Sequence, residues 1–319
     1  MTRFVRPVLL AALVGTAFSI HAQYLQYSQY DHRNSCESGD GSSRSDSLQV
    51  VGLTQDQRLI CFNERNPGDA RNIGTVGGLI SGDVLVGIDL WVQDKMLYGV
   101  SRTGRIYKLN TTNATAMKVS QLTVALEGTA FGVDFNPAAD RLRVVSDTGQ
   151  NLRHNVNDLG ITVVDDLLDY PPATLVNAVG PNAVGVTGSA YTNNDLDPST
   201  ATTLYALDTS LDQIALQSPP NDGTLAATGK LGTDANASVG FDIYSTVRNN
   251  VTVEVQALAS LQMAAGTSSF YSIKLPTGKA TLRGNFSSQN KVIGIAIPLN
   301  QLISLDAHGR FLSWFSTRP

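Results

Sequence analysis

Apolar and polar positions alternate along most of this chain in short runs, each broken after a few residues by Gly, Asn, Asp or Pro. From Gln49 onward no stretch holds a helical period for long. Alternation with frequent turn residues predicts many short strands and an all-β fold. One strand recurs. Val86-Gly87-Ile88-Asp89-Leu90 is followed by Phe131-Gly132-Val133-Asp134-Phe135, Thr187-Gly188-Ser189-Ala190-Tyr191, Val239-Gly240-Phe241-Asp242-Ile243 and Ile293-Gly294-Ile295-Ala296-Ile297. Successive glycines lie 45, 56, 52 and 54 residues apart, a period that suits a four-stranded propeller blade.

Three further strands follow the glycine strand in each complete repeat: Met96–Ser101, Arg105–Asn110 and Ala116–Val119 in the first, Arg141–Ser146, Asn151–Asn155 and Ile161–Val164 in the second. The ends are unequal. Val50–Val76 has the later strands of a blade but no glycine strand before it, and Ile293–Ile297 is a glycine strand without a blade. Pairing the two closes a ring of five blades and removes the exposed edges that burden open sheets. A competing count is six, with Gln301–Phe315 supplying two strands of a further blade beside the N-terminal arm.

The rest of the chain divides around that ring. Residues 1–22 read as a signal peptide: Arg3 and Arg6, an apolar run from Val8 to Ile20, and a small-residue cleavage site before Gln23. The run is too short to span a bilayer, and no later stretch qualifies. A secreted protein, extracellular or periplasmic, is expected, without membrane insertion. Residues 23–47 form a polar arm carrying Tyr24, Tyr27 and Tyr30, residues 48–298 the propeller, and 299–319 a C-terminal extension. The two cysteines, Cys36 and Cys61, suit one disulfide tying the arm to the first repeat in an oxidising compartment; two free thiols are the other reading. Asn-X-Ser/Thr sequons at Asn110, Asn113, Asn236, Asn250 and Asn285 matter only in a eukaryotic secretory host.

Charge narrows the partners. Only 16% of residues are charged and the formal net charge is −4, more acidic once the leader's arginines are gone. No basic stripe remains for a phosphate backbone, so a nucleic-acid partner is excluded. A monomer is expected.

The segment FGVDFNPAADRLRVVSDTGQNLRHN (131–155) resembles the bacterial domain-of-unknown-function family 4394. VTGSAYTNN (186–194), TTLYALD (202–208), QSPPNDGTL (217–225), the Val239–Ile243 strand and the closing VIGIAIP resemble it in the same order. The resemblance implies a secreted, propeller-like domain with no established activity. The insert Asp165–Pro181 and the tail Gln301–Pro319 look individual to this chain.

Candidate chemistry is sparse. Asp89, Asp134 and Asp242 each follow a strand glycine by two residues, so in a propeller they could converge on the channel. Their sharp reading is a cation site, calcium being the obvious ion, or a glycosidase-like acid/base set. The structural reading is favoured, because equivalent repeat positions suggest the same local task, whereas catalysis needs dissimilar environments. Arg141 and Arg143 share a strand face, with Arg153 on the next strand. They could fork a carboxylate or sulfate ligand, or form ion pairs within the blade. Tyr191, Asn193 and Asn194 could line the channel mouth and suit a sugar, although Asn-Asn is also ordinary turn chemistry. His32, His154 and His308 have no metal-ligand spacing, and neither nucleophile elbow nor nucleotide loop occurs. No cofactor is expected. The sequence favours a binding or interaction module for an extracellular glycan, small molecule or protein, with a sugar- or lactone-directed hydrolase or lyase as the alternative.

Overall fold

The computed structural model describes residues 47–157, 160–171, 182–197, 199–263, 266–299, 304–305 and 311–312. Its strands run in chain order from β1 (Gln49–Thr54), β2 (Arg58–Asn63) and β3 (Asn66–Thr75) to a second set, β4 (Leu85–Trp91), β5 (Met96–Ser101), β6 (Arg105–Leu109) and β7 (Ala116–Gln121). The third set is β8 (Phe131–Asn136), β9 (Arg141–Ser146), β10 (Asn151–His154) and β11 (Thr162–Val164). The fourth is β12 (Val186–Tyr191), β13 (Leu204–Asp208), β14 (Gln213–Gln217) and β15 (Leu225–Lys230). The last comprises β16 (Val239–Arg248), β17 (Val251–Gln262), β18 (Ser268–Ile273) and β19 (Ala280–Asn285), followed by β20 (Val292–Ala296), β21 (Ser304–Leu305) and β22 (Phe311–Leu312).

These make five four-stranded antiparallel sheets, one per blade. Blade 1 has the order β20-β1-β2-β3, so the last glycine strand joins the first three strands. Val51 faces Ala296 and Leu53 faces Gly294 across that closing pair. The ring has five blades; β21 and β22 pair with each other, outside the five sheets. The six-blade reading is therefore replaced. Blade 1 is already complete with β20, and no further four-stranded sheet exists among the described residues.

Burial falls from the axis outward. The inner strands β4, β8 and β12 are buried almost throughout, whereas the outer strands β7, β15 and β19 are exposed at half of their positions and have one buried residue among them. The cause is stacking: an inner strand is covered on both faces by neighbouring blades, while an outer strand faces water. Five apolar clusters fill the five seams. One, between blades 5 and 1, sets Phe62, Phe270 and Phe286 edge to face with centroids 4.9–6.0 Å apart. The seam between blades 3 and 4 has a small cluster of Val145, Leu168, Ala183, Val186, Ala206, Ala215 and Leu225, and polar side chains take up the remaining space there.

The glycines that revealed the repeat set the blade spacing. A Cβ on Gly132 would lie 2.6 Å from the backbone nitrogen of Ser189, and one on Gly240 2.6 Å from that of Ile295. Only glycine allows inner strands this close. Gly294, at the closing blade, is looser: its nearest neighbour would be Ile88 Cγ1 at 3.4 Å.

The fourth repeat departs from its sequence-level bounds. Its inner strand runs on to Arg248 rather than ending at Ile243, and β17 reaches Gln262. The two pair as a ribbon from Tyr244 to Arg248 against Val251 to Gln256, while β18 covers only Ala257–Gln262. Alternating polar and β-branched residues carry the pairing past the point where the other inner strands stop. Among the described residues no helix is long and apolar enough to cross a membrane. Cys36 and the tyrosine arm lie outside the described residues; Cys61 is buried on β2.

Candidate functional site

Along each inner strand the side chain two residues after the glycine points toward the next blade. In three blades that residue is aspartate, and all three carboxylates meet near the axis with one oxygen of each within 4.8 Å of the others. Their partners follow a rule. Asp89 Oδ2 accepts the Phe135 amide of blade 3 at 2.7 Å. Asp134 Oδ1 accepts the Tyr191 amide of blade 4 at 3.1 Å. Asp242 Oδ2 accepts the Ile297 amide beyond β20 at 2.7 Å. Each recipient stands three residues after its own glycine, so each aspartate staples its blade to the next.

Two blades have alanine at this position, Ala190 and Ala296. The amides that they leave unserved, Ile243 and Leu90, bond instead to the aspartate beside them in the chain: Asp242 Oδ1 accepts Ile243 at 2.6 Å, and Asp89 accepts Leu90. Three carboxylates thus satisfy five inner-strand amides, one per blade, which buried backbone demands.

The arrangement is electrostatically strained. Asp89, Asp134 and Asp242 are all buried. Burial pushes all three carboxyls up, Asp242 to about 6. Asp242 adds repulsion at Asp89, and both Asp89 and Asp242 add it at Asp134. Chemically the cluster can hold protons or a cation. As a calcium site its donor set is short: it offers one oxygen from each of three carboxylates, the alanines of the other blades offer none, and calcium takes six to eight. Nearby, the five glycine strands line a narrow pocket, with Gly87, Gly132, Gly188, Gly240 and Gly294 all on its wall. Ser189 lines it, and its buried Oγ has no hydrogen-bond partner among the described residues.

The arginines lie apart from this axis, at the seam of blades 3 and 4. Arg153 faces Arg143 across the β9–β10 pair, and two facing cations require an acid between them. Asp165, just past β11, supplies it, 2.9 Å from Arg143 Nη1 and bidentate to Arg153 at 2.7 Å. Arg143, only 1% exposed, also donates to Tyr191 Oη at 3.0 Å, Asn221 Oδ1 at 2.9 Å and Asn151 Oδ1. Its donors are spent inside the protein. Arg141 is separate, donating to the carbonyl of Asp140 at 2.7 Å. Tyr191 is buried, and burial raises its phenol. Asn193 adopts positive φ and donates to the Ala201 carbonyl at 2.5 Å; Asn194 bonds to Ile243 and Ser245 of blade 5.

Sequence reasoning missed Asp165, Asn151 and Asn221. The acid at least was signalled, because a cross-strand pair of arginines in a charge-poor chain implies one nearby. Asn221 belongs to a short 3-10 turn, Pro220–Asp222, that no local pattern ties to Arg143.

With the ring and its axial aspartates in view, the class is a five-bladed β-propeller. Residues 58–296 match the family described as Domain of unknown function (DUF4394), and the chain belongs to that family. No curated protein matches. Among solved structures, a chain of a nidogen/laminin complex is similar at a TM-score of 0.44 and 12% identity, covering 80% of this chain and 99% of that one. A structural-genomics protein of unknown function from Bacteroides thetaiotaomicron gives 0.42 and 10%, covering 74% of this chain and 55% of its own. An auxiliary nutrient binding protein from Bacteroides ovatus gives 0.34 and 10%, over 70% and 55%.

Proposed function

We propose that this chain is a secreted, non-catalytic interaction module that recognises an extracellular polypeptide on the face where the inner strands end. One observation carries the reading: the three aspartates best suited to acid/base chemistry are buried and committed to backbone amides. A catalytic acid needs contact with substrate, and none of the three carboxyls lines the pocket that the glycine strands enclose. The arginine fork is likewise filled by Asp165.

Recognition then falls to the surface. The β16–β17 ribbon runs past the point where the other inner strands end by about 13 Å, taking four residues at strand rise. Val251, Val253 and Val255 stand exposed along it at 40, 55 and 37%. Asp195 anchors the ribbon to the loop after β12 through the amide and hydroxyl of Thr252. A rigid aliphatic stripe suits an apolar polypeptide segment better than a sugar, since Tyr191 is buried and Asn193 is bonded to its own loop. A secreted chain also suits a disulfide between Cys36 and Cys61.

The test is a panel: a random-peptide display library, a glycan array and common glycosides and lactones, each with wild type, Val253→Asp and Asp134→Asn. Peptide binding that weakens roughly tenfold or more in Val253→Asp supports the reading. Turnover abolished by Asp134→Asn but untouched by Val253→Asp overturns it.

A further inference from the structure

Late in the sequence the apolar pattern of the β1–β2 hairpin recurs. Residues 301–314, QLISLDAHGRFLSW, align without a gap on residues 49–62, QVVGLTQDQRLICF. Glutamine opens both, leucine and arginine coincide at Leu53/Leu305 and Arg58/Arg310, and five further apolar positions match: Val50/Leu302, Val51/Ile303, Leu59/Phe311, Ile60/Leu312 and Phe62/Trp314; Cys61 has Ser313 as its counterpart. Strand pairing coincides as well. Gly52 faces Ile60 and Leu53 faces Leu59 in blade 1; Ser304 faces Leu312 and Leu305 faces Phe311 in the tail. At the turn, Gln57 holds a φ of 61°, a left-handed conformation that favours glycine, and the tail has Gly309 there.

Position in the chain gives the copy a destination. In blades 2 to 5 an inner strand is followed by its own second and third strands, after connections of four, four, twelve and two residues. β20 is followed by β21 and β22 after seven. The tail hairpin is therefore where the second and third strands of the closing blade would come if blade 1 were built like the others. In this structure β1 and β2 hold that place, with Val51, Leu53 and Leu59 in the core between blades 1 and 2.

We propose that β21–β22 is a second claimant for the place beside β20, so that blade 1 has two strand-exchanged forms and the ring can release its N-terminal hairpin without opening. The exchange is antiparallel, with Ile303 taking the position of Val51 opposite Ala296. Arg310 takes over the bonds that Arg58 donates to Gln289 O at 2.9 Å and Asn290 Oδ1 at 3.1 Å. The incumbent keeps one bond pair that the tail lacks: the Gln57 amide grips the N–H and C=O of Leu85, and Gly309 has no side chain to do so.

Hydrogen exchange on the full chain, read segment by segment, tests this. In Leu53→Asn with Leu59→Asn, residues 303–312 should gain roughly tenfold protection or more while residues 49–63 lose it, with a cooperative melt retained. Adding Leu305→Asn and Phe311→Asn should then abolish that melt. A milder background, Leu53→Ala with Leu59→Ala, serves if the asparagine pair does not fold. No gain at 303–312 in either background overturns the proposal. So does a gain that rises with protein concentration and accompanies dimers, which would place the tail of a second copy beside β20.

Discussion

A carboxylate has two oxygens, and in this ring three aspartates use theirs to serve five amides. Asp89 and Asp242 each serve two and Asp134 serves one. Leaving a buried amide unserved costs about 1–3 kcal/mol. Asp89→Ala, which strips Leu90 and Phe135, is therefore expected to lose about twice as much stability as Asp134→Ala, which strips only Tyr191; urea denaturation at pH 5 measures both. Equal losses would mean that water replaces the second bond. The aspartates were legible in the sequence because they recur at a fixed offset from a repeated glycine. Their partners were not, since the bonds run to residues 46 to 57 positions away, and it takes the ring to bring those amides within reach. Arg143 shows the same limit, with its neutral partners drawn from β10, β12 and a turn in blade 4.

At the scale of strands, much was legible. The glycine spacing, the orphan strand at one end and the incomplete blade at the other led to the observed closure, because each blade reuses one hydrogen-bonding scheme. What the pattern did not reveal was the length of β16 and β17, where polar residues extend pairing beyond the core and burial no longer marks the boundary. The glycines themselves differ in strictness. Gly132→Ala and Gly240→Ala force a Cβ against neighbouring backbone at 2.6 Å, whereas Gly294→Ala meets only Ile88 Cγ1 at 3.4 Å. The first two are expected to cost about 2–3 kcal/mol and the third under about 1. Thermal melts of the three variants would rank them; a Gly294→Ala melt as low as the others would place equal crowding at the closing seam.

For the molecule as a whole, two buried systems oppose each other across mildly acidic pH. The trio's carboxyls are raised in the folded state, so their contribution is complete below pH 3.8 and is lost as pH rises through about 6 and beyond. His154 works in the other direction. It is buried between Ser120 and Thr162, each 2.9 Å away, and burial depresses it from 6.5 to about 4. Its contribution is complete above pH 6.5 and is lost as pH falls through 4. Asp242 and His154 are each worth on the order of 3 kcal/mol across their windows, and the raised Asp89 and Asp134 add to the carboxyl side. With three raised carboxyls against one depressed imidazole, wild-type stability should therefore fall from pH 4 to 6.5. His154→Gln should steepen that decline and Asp242→Asn should make it shallower, in urea titrations; parallel profiles for all three proteins would sink the account. Closure by β20 has a mechanical consequence of its own. Val51 lies opposite Ala296 and Thr54 opposite Val292, so the two segments leaving the latch, before Gln49 and after Ala296, depart from the same end of the pair. Tension applied through them loads the hydrogen bonds one at a time, like a zipper, rather than all together in shear. The latch is thus expected to yield to a gentle pull along the chain.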